Sequence, residues 1–220
     1  MARRPADHPR APKGAGTDDR AGRIIDAALD LAAIEGWSGL GMTQIAQAAG
    51  LTLGELHAAF PSKNCLFDAF IRRVDGEVLA AGPADADEAA RDRLFEVLMR
   101  RFDALAPHKA AVAAILRDIV DPTVGLVGLP AMARSMAWTL EAAGLSSAGL
   151  GGLVRVQGLM LVYADAVRVW LRDDTPDMAK TMAALDKGLR RAETLVHLAS
   201  GLAPCRRPAA RPAAGEPPPA

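Results

Sequence analysis

Helix stops and starts punctuate this chain along its length, and that punctuation leaves little room for any fold but a helical one. Glycine commonly supplies the left-handed residue after a helix, and Ser, Thr or Asp caps the orphan amides at the next start. Such signals cut residues 18–202 into about nine segments. Within them apolar residues recur at helical spacing, and no useful length alternates with period two. The chain is therefore expected to be all-α. Asp18 and Asp19 open the first segment, which runs through Ile24, Ala28, Leu31 and Ala32 to a stop at Gly36. Thr43 is expected to cap Gln44 to Ala49, ended by Gly50. Thr52 should cap Leu53 to Phe60, with Glu55 three residues on completing a reciprocal capping box. Ser62 should cap Lys63 to about Ala81. After Ala81-Gly82-Pro83, helices are expected over Glu88 to Ala106, His108 to Val120, Pro130 to Ala143, Leu150 to Arg172 and Pro176 to Ser200. Pro130 and Pro176 are placed in first turns, where proline loses no hydrogen bond.

Half of the 220 residues are apolar, enough for a packed core. The formal net charge is zero, so no global basic field drives non-specific nucleic-acid binding, and any DNA contact must be local. Between Met1 and Ala80 the basic residues Arg3, Arg4, Arg10, Lys13, Arg20, Arg23, Lys63, Arg72 and Arg73 are balanced by acidic ones. Cys65 and Cys205 stand far apart with no CxxC partner, which argues against a disulfide framework and fits a reducing, cytoplasmic setting. Four parts are expected: a disordered basic arm over 1–17, a helix-turn-helix domain over 18–81, a helical body over 82–202, and a disordered Pro-rich tail over 203–220. An arm of this kind can follow a minor groove or merely solubilise the chain. Leu150 to Leu171 is long enough to cross a bilayer, but Arg155, Gln157, Asp165 and Arg168 make it a buried or interface helix instead.

Two short helices about a tight turn at Gly50, Leu51 and Thr52 have the form of a helix-turn-helix, whose second helix can enter a major groove. Specific residues narrow this reading. The run from Met42 to Lys63 resembles the N-terminal DNA-binding domain of the TetR family of transcriptional regulators, with Thr43, Ile45, Ala46, Ala49, Gly50, Gly54, Leu56, Phe60, Ser62, Lys63 and Leu66 at the family's spacing. The resemblance covers about Arg23 to Phe70. It implies a TetR-like fold, with a three-helix DNA-binding domain followed by a helical ligand-binding and dimerisation bundle. It further implies that Thr43 and Lys63 touch phosphates while Thr52, Leu53, Gly54 and His57 face the groove of a double-stranded operator. His57 stands where the family usually has tyrosine, and Ala59 where it usually has histidine. No Lys or Arg lies in the recognition helix, and Glu55 would face a polyanion unless turned back into its capping box.

Beyond Gly82, methionine and aromatic residues are frequent. Met136, Met160, Tyr163 and Trp170 could line a pocket for a flexible apolar ligand or lipid, although such residues at helical spacing are usually ordinary core. Leu161-Val162-Tyr163, Trp170-Leu171, Asp173, Thr175-Pro176-Asp177, Thr181 and Leu185-Asp186 also align without a gap to the signature of a second family. That family is the lipid-binding accessory proteins of ubiquinone biosynthesis, which share the TetR fold. It implies an alternative, an isoprenoid carrier with little DNA activity. The membrane-docking helix of that family has no counterpart after Pro204, so peripheral membrane contact is not favoured. The last two long helices suit a two-fold interface, and a homodimer would set two recognition helices about one duplex turn apart.

Catalysis is not expected. His8, His57, His108 and His197 have no metal-ligand spacing, and GxSxG, P-loop and HExxH motifs are lacking. Cys65 lies on an amphipathic helix, where packing explains it, and Asp173-Asp174 reads as a charged loop. No cofactor or metal is implied. The sequence thus points to a homodimeric TetR-like regulator that reads a palindromic operator through residues 43–60 and takes an apolar small molecule in its C-terminal body.

Overall fold

Gly36, at φ +86°, ends the first helix and lets the chain reverse. In the computed structural model, which describes residues 15–118 and 122–201, that helix is α1 (Ala15–Glu35). It is followed by α2 (Met42–Ala48), α3 (Leu53–Ala59), α4 (Lys63–Ala80), α5 (Ala90–Leu105), a short 3-10 turn (Ala106–His108), α6 (Lys109–Asp118), α7 (Pro122–Ala142), α8 (Gly149–Trp170) and α9 (Ala179–Gly201). Nine α-helices and no strand occur among the described residues. Arg3, Arg4, Arg10 and Lys13 of the basic arm, and the tail after Leu202, lie outside the described residues.

Four expected boundaries move. α1 begins at Ala15, ahead of Asp18 and inside the stretch assigned to the basic arm. Thr43 is not a cap: Gly41 holds the extended cap position of α2, and Gln44 returns its side-chain oxygen to the Gly41 amide at 2.7 Å. Pro130 sits inside α7, because that helix starts eight residues earlier with Pro122 in its first turn. Pro176 lies in the loop before α9, where Thr175 Oγ1 and Asp177 Oδ1 accept from the Ala179 amide at 3.1 and 3.3 Å.

One buried apolar cluster runs from Ile24 in α1 to Leu189 in α9 and joins both halves. Ile24, Ala28, Ile45, Leu56 and Phe60 hold the first three helices together, while Phe70 and Val74 of α4 continue into Phe102 of α5 and Met136 of α7. Inside this apolar mass lies a polar knot. Arg101, fully buried on α5, donates through Nη1 to Asp75 Oδ1 at 2.5 Å and through Nε to the Tyr163 hydroxyl at 3.2 Å. The Ser135 hydroxyl also donates to Asp75 Oδ1. Four helices thereby meet at one ion pair, and a buried charge is tolerated only when paired in this way.

A second knot closes the α8–α9 corner. Asp173 accepts from the amide and hydroxyl of Thr175 on one oxygen and from those of Thr181 on the other. These bonds to the charged form hold its carboxyl well below the usual carboxylate range, against the opposing effect of burial. Gly188 lets the two helices touch, since a Cβ there would stand 2.8 Å from Val162 Cγ1. Tyr163, Trp170, Asp173, Thr175 and Thr181 thus each have a packing or capping duty in this corner, which accounts for their pattern without reference to a ligand.

Candidate nucleic-acid interface

The turn between α2 and α3 is built from backbone chemistry. Gly50, at φ +69°, donates to the Gln47 carbonyl at 3.1 Å, and Leu51 donates to the Ala46 carbonyl at 2.9 Å. This pair is the Schellman closure, which satisfies two orphan carbonyls and needs a left-handed residue at the corner. Thr52 then starts α3: its hydroxyl accepts from the Glu55 amide at 3.2 Å, and its own amide donates to Glu55 Oε2 at 2.9 Å. The expected capping box is present, and the Thr52 hydroxyl also donates to the same carboxylate oxygen.

That box settles the orientation of Glu55. Its carboxylate is turned back over the helix start, and bonds from Thr52 draw its pKa below the ordinary value. Arg20 of α1 stands 4.0 Å from Oε1 and offsets the remaining charge. Arg20 is the residue that residue-by-residue reading missed. Its placement beside α3 depends on how α1 crosses the pair, which no local pattern encodes.

α3 has two unlike faces. Leu56 is fully buried and Phe60 nearly so, anchoring the helix in the apolar cluster beside α2. Thr52, Leu53, Gly54, His57, Ala58 and Ala59 are exposed together, and Thr43 is exposed on α2. The groove-facing set named from sequence therefore shares one open surface, of apolar, hydroxyl and imidazole character. Gly54 has open space where a Cβ would sit, so a duplex could approach its backbone closely.

Lys63 lies elsewhere. Its ammonium donates to the carbonyls of Trp37 at 2.7 Å, Ser38 at 3.1 Å and Leu40 at 2.9 Å, and stands 5.6 Å from the Trp37 ring. Three donors are matched to three acceptors, leaving none for a phosphate in this conformation. Burial lowers its pKa below the ordinary lysine value, with Asp118 opposing. From the other side, Asp118 at the end of α6 accepts from the Ser38 amide at 2.6 Å. The α1–α2 corner, which sets where α2 and α3 point, is thus gripped by α4 and by the C-terminal body at once.

The four residues named for a ligand are placed in packing. Met136, Tyr163 and Trp170 are buried, and Phe102 packs at 5.6 Å from Tyr163 and 5.7 Å from Trp170, ring centre to ring centre; Met160 is half-buried against the same core. None of them borders the cavity of about 350 Å³ that opens between the α1–α2 corner, α4, α6 and α7. Its walls come from Trp37, Cys65, Phe67, Ile115 and Ala131, with Asp68, Arg72 and Arg134 at its edge. Among the described residues, no group of three or more His, Cys, Asp or Glu could hold a metal ion.

Residues 24–70 match the family model described as bacterial regulatory proteins, tetR family. No curated protein matches the chain. Among solved structures, a TetR transcriptional regulator from Nitrosomonas europaea superposes with a TM-score of 0.65 at 23% identity, covering 80% of this chain and 99% of its own. A TetR transcriptional regulator from Rhodococcus sp. RHA1 gives 0.59 at 21%, covering 80% and 96%. A tetR-family transcriptional regulator from Streptomyces coelicolor gives 0.54 at 19%, covering 84% and 86%. The fold is that of these proteins, and the matched domain is one of regulatory proteins.

Proposed function

We propose that this chain, whose residues 24–70 match the family model of bacterial tetR regulatory proteins, is a TetR-family regulator that works in the cytoplasm as a homodimer, reads a palindromic operator and answers to a small molecule with an apolar body. The observation that carries the reading is the open face of α3: Thr52, Leu53, Gly54 and His57 are exposed side by side while Leu56 locks the opposite face into the core. Phosphate contacts position a reader and base contacts specify. Leu53 and Ala59 offer apolar contact of the kind made with thymine methyl groups, and His57 offers a donor or acceptor to a base edge. With no cation on α3, charge attraction draws on residues outside it: the exposed Arg20 and Arg23 of α1, whose charges are partly offset by Glu55 and Asp19, and the basic residues that precede them in the sequence.

Dimerisation is supported by the outer faces of α8 and α9, where Leu150, Leu153, Leu161, Leu195 and Leu198 are exposed. α8 is long and apolar enough to cross a membrane by length and composition, but in the fold it packs between α7 and α9, and the remaining apolar face suits a second copy. The test is fluorescence anisotropy of the full chain on its own upstream intergenic fragment across a salt series, with sedimentation to follow Leu161→Glu. A saturable signal that weakens with salt, lost when Leu161→Glu makes the chain monomeric, is the expected result. Absence of binding at low salt, or undiminished binding by a monomeric variant, would reject the reading.

A further inference from the structure

The cavity between the α1–α2 corner, α4, α6 and α7 has a chemistry of its own. Its floor is apolar and partly aromatic, from Trp37, Phe67, Ile115 and Ala131. At its edge two guanidiniums share a single carboxylate. Asp68 pairs with Arg72 at 2.9 Å and with Arg134, which approaches from α7. One negative charge between two positive ones leaves the edge net cationic, and each guanidinium has five N–H donors, more than Asp68 can accept. Both arginines are substantially exposed, so their remaining donors are solvated and free to meet a ligand. A volume of about 350 Å³ is at the small end for ligand pockets.

We propose that this cavity binds a small monocarboxylate with an apolar body, whose carboxylate engages Arg134 and Arg72 and whose hydrocarbon fills the space against Trp37, Phe67 and Ile115. An anion is selected by the unbalanced guanidiniums, which grip a carboxylate in bidentate fashion. An apolar body is selected because the floor offers it no hydrogen bond. The site differs from the buried Met136, Tyr163 and Trp170 cluster. It lies at the junction of the recognition domain and the body, not within the body. Its occupant would touch Trp37, whose carbonyl Lys63 holds, and Ile115, one turn before the Asp118 that holds Ser38. The same corner sets the direction of α2 and α3, so a ligand that prefers one setting of it biases DNA affinity. This last step rests on the regulator reading; binding itself does not.

The probe is octanoate against 1-octanol, of equal chain length and no charge, titrated calorimetrically into the full chain without DNA. Octanoate should saturate and bind about tenfold more tightly than octanol, and Arg134→Gln should remove most of that preference. Cys65 on the cavity wall gives a local readout: saturating octanoate should slow its alkylation by iodoacetamide about fivefold or more, as expected of a blocked wall, with Cys205 in the same digest as reference. Ala131→Phe, which fills the space, should abolish binding. No saturation, equal affinity for both probes, a preference kept in Arg134→Gln, or unchanged Cys65 alkylation would each overturn the site. On the anisotropy assay octanoate should shift operator affinity about fivefold in the wild type and not in Arg134→Gln. A chain that binds octanoate but never DNA would sink the regulator reading and spare the site, whereas one that binds DNA but not octanoate would do the reverse.

Discussion

Replacing Lys63 by Met separates two roles that make opposite demands on one ammonium. Methionine keeps the aliphatic stem against Trp37 and removes only the charge and its three donors. The carbonyls of Trp37 and Leu40 are partly buried, and each loses its donor; the Ser38 carbonyl is exposed and can turn to water. A fully buried carbonyl left unmatched costs about 1–3 kcal/mol, and these two are only partly buried, so the change should destabilise the chain by about 2–4 kcal/mol, short of the full double penalty. For a chain of this size that lowers the melting temperature by roughly 5–15 °C. A lysine on a phosphate behaves differently. Each such contact contributes about 0.9 to the slope of log affinity against log salt, so two copies in a dimer would contribute about 1.8. Calorimetry and anisotropy on the same preparation, at a temperature where both proteins are folded, decide between them. The clamp predicts a lower melting temperature and an unchanged salt slope. An unchanged melting temperature with a slope reduced by about 2 would refute it and return Lys63 to the duplex.

Gly50→Ala should destabilise the chain by about 1 kcal/mol through backbone strain alone, because φ is +69° and a Cβ there meets nothing within 4 Å; thermal melting measures it, and no loss would mean that the corner relaxes. Arg101→Met should cost about 3–5 kcal/mol by stranding Asp75, and adding Asp75→Asn should recover much of it; a double variant as unstable as the single one would show that the ion pair is not the source. Asp173 titrates below its unfolded value of about 3.9, so its contribution is complete above that pH and fades as pH falls through it toward the folded value. The melting-temperature gap between wild type and Asp173→Asn should therefore be widest near neutral pH and close in acid. A gap independent of pH would contradict the assigned bonds.

How much could be read from the residues differs by feature. The starts of α3 and α4 were legible because Thr52 and Ser62 carry hydroxyls at a fixed offset from the amides they cap. The ends at Gly36 and Gly50 were legible because both need a left-handed residue. α2 escaped the same rule, since its cap position falls on Gly41, which has no side-chain oxygen, and Gln44 returns its own oxygen to the Gly41 amide instead. The exposed face of α3 followed from period and family spacing. The Lys63 clamp did not, for its acceptors are backbone carbonyls, which no side-chain pattern announces. Nor did the cavity, whose walls come from four elements brought together only by packing. The Met136, Tyr163 and Trp170 group shows the reverse difficulty: composition is equally compatible with a lining and a core, and contact with Phe102 places the two aromatic rings in the core.

A grip on main-chain oxygens has an evolutionary corollary. Carbonyls belong to every amino acid, so Ser38 and Gly39 could be exchanged for many others without depriving Lys63 of a partner, provided that the path of the chain is kept. Drift at those two positions would be nearly silent, while loss of the single lysine would not. Divergent descendants would be expected to vary along the loop and hold fast at position 63, a pattern easily mistaken for selection on contact with nucleic acid.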